Sequence, residues 1–379
     1  MKCSGRNAIT GEQVVLEFDE VINHVDPLLN PEDAAAWLAP GFVDIQVNGF
    51  AGVDYNSPTA SHEEIARSIR VLFSPGVTRF FPTVITGPPD GMLGALRNLA
   101  VARESLKDGA AMEAFHVEGP HISPEDGPRG AHPARWVRPP DLEEYRRWQE
   151  AAGGHVRLVT LSPEWPDATR YIEQLSREGV VTSIGHTRAT SQQIRDAVSA
   201  GATLSTHLGN GAHSVLPRHP NYIWEQLAED RLAASFIVDG IHLPDSFLRV
   251  ALRAKGIERS VLITDAVMPA MCPPGPYTLG EVEVELKEDQ RVVLRGGTRL
   301  AGSSLRMDRG VEQLMRLAGL SLPEAITMAT TNPARVGRLP GRFRALRTGE
   351  RADLVRFALD HGRIQVLETF LRGERVFKL

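Results

Sequence analysis

Cysteine is scarce in this chain: Cys3 and Cys272 are the two in 379 residues. That is too few for a disulfide framework, and they lack zinc-finger spacing, so any bound metal must be held by histidine and carboxylate. Blocks of basic residues are missing as well. Lys and Arg number 42 against 47 Asp and Glu, for a net charge of -5. The electrostatic footprint of a nucleic-acid binder is therefore absent. Long apolar runs are lacking too: no window approaches the roughly eighteen uninterrupted apolar residues of a membrane helix. The opening "MKCSGRNAITGEQVVLEF" has no continuous apolar stretch of the signal-peptide kind. These absences lead us to expect a soluble cytoplasmic protein with neither a nucleic acid nor a membrane as partner.

What is present is enough apolar sequence, 42% hydrophobic against 23% charged, to bury a large core spread over two or three domains. After Pro40 a rhythm sets in, of short β-branched runs ending in polar residues, each followed by an amphipathic stretch. The runs are "FVDIQVN", "TRFFPTVIT", "AFHVEGP", "VRLVTLSP", "VVTSIGHT", "ATLSTHLGN", "AASFIVDG" and "SVLITDAV". Between them, apolar residues recur at three- and four-residue spacing, as in Ile65, Ile69 and Leu72, or Ile194, Ala197 and Val198. Gly76, Gly179 and Gly201 stand where such helices should stop. Eight strand-helix units over 40–341 predict a (β/α)8 barrel. Residues 1–39 and 342–379 show short alternating runs and predict one small β-domain built from both termini, and 277–302 predicts a β-hairpin insertion.

Barrel chemistry collects at the C-terminal ends of strands. Those ends carry Gln46 and Asn48, His116 and Glu118, His186, His207 and Asn210, Asp239 and His242, and Asp265. A lone strand-end histidine is usually structural, but Glu118, His186 and His207 come from three strand ends and form a plausible three-ligand set for a divalent ion. Asp265 is the candidate proton acceptor and donor; the plainer reading is a helix N-cap. Asp239 is read as serving a turn or holding a neighbouring histidine. On "FVDIQVN", strict alternation would set Val43, Ile45 and Val47 on one face and Asp44, Gln46 and Asn48 on the other.

At these residues the chain resembles the amidohydrolase superfamily and, within it, the N-acetylglucosamine-6-phosphate deacetylases. The resemblance is carried by "LAPGFVDIQVNGFAGVDYN", "FHVEGPHISPEDGPRGAH", "SIGHTRAT", "STHLGN", "VDGIHLP", "LITDAV", "LAGSSLRMD", "TNPAR" and "GERADLV", which span nearly the whole chain in order. It implies a metal-dependent deacetylase with a (β/α)8 barrel and a small β-sandwich formed from both termini. Most amidohydrolases carry His-x-His at the end of the first strand, whereas one deacetylase branch has Gln-x-Asn, matched here by Gln46 and Asn48. Neutral amides are poor zinc ligands, so the second metal position is expected to be vacant. By the same resemblance His132 contacts the substrate carbonyl and His242 the phosphate end of the sugar. Asn210 and Gly211 offer backbone N–H groups to the phosphate, and Arg218 reaches the site of a neighbouring subunit, implying a homodimer. The family usually reads His-Leu-x-Asn-Ala-Met followed by an Arg and Pro-Gly; this chain has "HLGNGAHSVLPRHPNYIW", which adds His213 and His219. His121 stands where an aromatic residue is usual.

The expected reaction is hydrolysis of the acetamide of an N-acetylated amino sugar, N-acetylglucosamine 6-phosphate foremost. It would use one divalent ion per subunit, Zn2+ with Fe2+, Mn2+ and Co2+ as alternatives. A related hydrolase of another N-acyl or cyclic amide is the second reading, and a barrel that binds without catalysing is the third.

Overall fold

The computed structural model describes residues 1–28, 36–339 and 346–379; the expected boundary between 341 and 342 lies outside them. All eight barrel strands are present: Phe42–Val47, Val77–Ile85, Phe115–Glu118, Val156–Leu161, Val181–Ile184, Ala202–Ser205, Ala233–Ile237 and Ser260–Ile263. Each pairs in parallel with its successor in sequence. The eighth closes on the first, because Asp265 N–H donates to Gln46 O at 3.0 Å and Asn48 N–H to Ala266 O at 2.7 Å. Buried Asp44 reinforces the seam by accepting from the Thr264 N–H at 3.3 Å and from its hydroxyl.

The helices form where the apolar spacing places them. Ser191–Ala200 begins in a capping box of Thr190 and Gln193, buries Ile194, Ala197 and Val198, and ends on Gly201 at φ 116°, a conformation that glycine adopts without steric cost. Ala168–Arg177 likewise buries Tyr171, Ile172 and Leu175 against the sheet. Inside the barrel, Val43, Ile45, Phe81, Leu158, Val181, Leu204, Val261 and Ile263 share one apolar cluster.

The first strand departs from strict alternation. Val43 and Ile45 lie in the interior cluster, but Val47 joins Phe42 in the cluster between barrel and helices. The pairing with the second strand shifts register between Asp44 and Val47. Such an irregularity re-aims the residues that follow it, and here it leaves Gln46 and Asn48 directed at Asp265 across the barrel seam.

The termini make a single seven-stranded sheet, in the order 374–378, 363–371, 354–360, 37–40, 2–7, 13–18 and 22–27. Phe18 and Phe370 belong to strands four places apart in that order, which a flat sheet would separate by about 19 Å. Their ring centroids are 5.3 Å apart. The sheet therefore curls onto itself into a small sandwich, burying Cys3, Val14, Leu16, Leu38 and Leu354 between its halves. A buried ion pair ties it to the barrel, with Arg79 Nε 3.0 Å from Asp353 Oδ2.

The insertion is a three-stranded antiparallel sheet, Gly275–Leu279, Val282–Leu286 and Val292–Leu294. It is held over the barrel mouth by Arg299, whose two terminal nitrogens donate to the Asp126 carboxylate at 2.8 and 3.0 Å, and by Trp136 Nε1, which donates to Glu281 at 2.9 Å. Among the described residues no helix is long and apolar enough to cross a membrane.

Candidate active site

Glu118, His186 and His207 meet at the barrel mouth. Nε2 of His207 lies 2.9 Å and Nε2 of His186 3.2 Å from the same Glu118 oxygen. Their ligand atoms all fall within 4.8 Å of one another, and this is the one such cluster of His, Cys, Asp and Glu found among the described residues. The donor set suits a divalent ion: two imidazoles, one carboxylate and burial throughout. His186 Nδ1–H donates to Pro128 O at 2.7 Å, which orients the ring so that Nε2 faces Glu118 as the atom that would bind a metal. Burial alone would raise Glu118, yet the hydrogen bonds and charges of the two histidines hold it well below its ordinary value. His207 is raised in turn, because Glu118 outweighs the cost of burying its charge.

Asp265 sits beside this cluster. Gln46 Nε2–H and Asn48 Nδ2–H both donate to Asp265 Oδ1, at 3.1 and 2.6 Å. The two amides thus anchor one carboxylate oxygen and leave the other to the cavity. Burial and the negative charge of Glu118 push the carboxyl up to about 6, against the opposing influence of His207, His242 and Asn48. That value suits a group that must both take and return a proton near neutrality.

His186, His207 and Asp265 share a backbone feature invisible in their side chains. Their φ angles are 49°, 31° and 51°, in the left-handed region that costs a non-glycine residue about 1–3 kcal/mol. Strain of this kind gathers at functional sites, where it turns a side chain off the strand end and over the mouth.

The cavity they face is lined also by Asn48, His132, Asn210, Gly211 and His242. His132 Nδ1 pairs with Thr86 Oγ1 at 2.8 Å, and its ring meets His186 edge-on at 4.4 Å between centroids. Burial and the nearby His186 push it down to about 3, so it is neutral. Asp239 holds His242: Oδ2 pairs with Nδ1 at 2.6 Å while Oδ1 accepts the N–H groups of Ile241 and His242. The Asn210 N–H donates to His207 O at 2.9 Å, whereas the Gly211 N–H has no protein partner among the described residues. Arg218 is exposed and does not line the cavity of its own chain. His116 is buried beneath the cluster, pairing with Thr160 Oγ1 at 2.8 Å.

A match to the amidohydrolase family model covers residues 37–376. The chain belongs to the amidohydrolase family. It is 34% identical over 343 residues to an N-acetylglucosamine-6-phosphate deacetylase of Bacillus subtilis (strain 168), covering 90% of this chain and 84% of that protein. An N-acetylgalactosamine-6-phosphate deacetylase of Escherichia coli O157:H7 is 33% identical over 361 residues, covering 94% of this chain and 92% of that protein. The crystal structure of an N-acetyl-D-glucosamine-6-phosphate deacetylase from Mycobacterium smegmatis matches with a TM-score of 0.90 at 31% identity, covering 100% of both chains. This places the chain in the deacetylase branch of the amidohydrolase family, whose members are metal-dependent.

Several residues of the amidohydrolase site were given no role by the sequence. Pro128 enters as the partner of His186 and Thr86 as the partner of His132, and Ile85, Leu279, Val282 and Leu300 close the cavity with apolar surface. The one signal for Leu279 and Val282 was the hairpin pattern after the eighth strand.

Proposed function

We propose that the chain hydrolyses the acetamide of an N-acetylhexosamine 6-phosphate, N-acetylglucosamine 6-phosphate foremost, to acetate and the free amine. The observation that carries this reading is Asp265 beside the Glu118, His186 and His207 cluster in one cavity, with one carboxylate oxygen anchored and the other free among the described residues. Glu118, His186 and His207 would hold one divalent ion, Zn2+ by the preference of its ligand types, with Fe2+, Mn2+ and Co2+ as alternatives. Bound there, such an ion supplies Lewis acidity to the amide carbonyl and lowers the pKa of water.

The remaining work falls to the chain. Asp265 accepts a proton from the attacking water and passes it to the amide nitrogen as the C–N bond breaks. His132, buried and neutral, is placed to donate a hydrogen bond to the developing oxyanion. The Gly211 backbone N–H and His242 take the sugar phosphate, with Asn210 holding the turn beside them through its bond to His207 O, and Arg218 of a second copy completes the phosphate end in a homodimer. Gln46 and Asn48 point N–H donors at Asp265, and neutral amides are poor zinc ligands beside imidazole and carboxylate, which supports one metal per chain and a vacant second position.

Because Asp265 must be ionised to take a proton, kcat/KM is expected to fall tenfold per pH unit below its pKa. Metal at Glu118 offsets a charge that helps hold Asp265 up to about 6, so the acid limb of the loaded enzyme should lie at or below pH 6. A limb above pH 7 would assign the step to another group.

The function is tested by acetate release from the 6-phosphates of N-acetylglucosamine and N-acetylgalactosamine and from the unphosphorylated sugars. A preference for the phosphates of about 100-fold or more in kcat/KM supports the reading. Equal rates with and without phosphate would point to another N-acyl or cyclic amide, the reading favoured by the altered "GNGAHSVLPRHPN" loop. A protein that takes up no metal would be a binding barrel.

A further inference from the structure

The loop after the sixth strand differs from the family pattern at His213, and the structure shows what that residue touches. Tyr222 OH accepts the His213 backbone N–H at 2.8 Å and lies 3.0 Å from His213 Nδ1. An ionised carboxylate only accepts, so Nε2–H donates to Glu125 Oε1 at 3.1 Å, and in the neutral ring Nδ1 accepts a hydrogen bond from the Tyr222 hydroxyl. Glu125 stands on the loop after the third strand, where its other oxygen forms an ion pair with Arg188, 3.1 Å from Nε.

These two loops are also the walls around the His186 ring. On one side Gly211 presses so closely that a Cβ there would lie 2.7 Å from His186 Nδ1, and on the other a Cβ at Gly130 would lie 3.2 Å from Cε1. Pro128 O, on the Gly130 side, fixes the Nδ1 proton at 2.7 Å. Gly127, next to Pro128, packs directly on His213, since a Cβ on it would sit 3.2 Å from His213 Cα.

We propose that His213 is a positioning residue: its bond to Glu125 clasps the two loops together and so sets where the His186 imidazole stands to receive metal. The inference rests on Glu118, His186 and His207 being the metal ligands, and it needs no assumption about the substrate. A partly exposed pair contributes little to global stability, so the clasp acts on the geometry of one ligand. Loss of an outer partner that orients a ligand weakens metal binding by about 10–100-fold. His213 is one step further out, so the lower end of that range is expected.

The test is the Zn2+ dissociation constant of the full chain, measured by competition with a chromophoric chelator, with no substrate present. His213→Phe keeps a ring but no donor to Glu125, whereas His213→Gln places an N–H where Nε2 stands. The Phe variant should bind Zn2+ about tenfold more weakly with the melting temperature of the metal-free protein unchanged, and the Gln variant should bind as the wild type does. Glu125→Ala attacks the clasp from the other loop, should weaken binding as His213→Phe does, and should add nothing when combined with it. Unchanged affinity in both His213→Phe and Glu125→Ala overturns the clasp. Equal weakening in the Phe and Gln variants also overturns it, since the donor would then be irrelevant. A wild-type protein that binds no Zn2+ overturns the ligand assignment itself, a different failure from a wild type that binds while the variants match it.

Discussion

Asp265→Asn is expected to lower kcat by about 10,000-fold, the upper range for losing a general acid-base group, because one residue serves both proton transfers. The substitution is isosteric, and the new amide oxygen can still accept from Gln46 and Asn48, which now donate to Oδ1 at 3.1 and 2.6 Å. The side chain should therefore keep its place, with an NH2 where the free oxygen was. Fold and metal content should match the wild type while turnover disappears. Measured metal stoichiometry and steady-state acetate release separate the two, and near-normal turnover would remove Asp265 from the reaction.

Glu118→Gln is expected to abolish tight metal binding. Glu118 is where both imidazole Nε2 atoms converge, at 2.9 and 3.2 Å, and its charge is what draws a cation to a buried site. Affinity should fall by more than the roughly 100-fold cost of an outer partner, since a ligand and a full negative charge are lost together. The metal-free variant should be less stable than metal-free wild type at neutral pH, because the two histidines hold Glu118 well below its ordinary value and that favourable interaction is lost. The rise in melting temperature that bound metal confers on the wild type should vanish. Calorimetry with and without Zn2+ checks both halves. A metal-dependent rise of wild-type size in the variant would mean that Glu118 is no ligand.

These two residues were legible in the sequence because a strand-helix rhythm reveals where strands end, and barrel chemistry lives at those ends. The same reasoning reached His186 and His207, on strands five and six. It faltered where period alone decides direction. Val47 was expected on the face of Val43 and Ile45 and instead packs outward, because a shift of pairing between Asp44 and Val47 breaks the two-residue period. The vacancy expected at Gln46 and Asn48 had no stated purpose in sequence; folded, both amides hold Asp265 in place.

By itself the sequence determined the architecture and the ligand types, since hydrophobic periodicity is local and those residues occur at predictable ends of each unit, and the reaction class followed from the resemblance its motifs carry. Tertiary structure alone decided the working geometry. Pro128 became the partner of His186, Thr86 of His132, and the 275–294 insertion the roof of the cavity, with Leu279 and Val282 in its lining. Left-handed φ angles at His186, His207 and Asp265 aim three side chains at one point. Such features depend on contacts between loops far apart in the chain and on backbone strain that only the packed barrel can hold, and neither leaves a periodic trace in sequence.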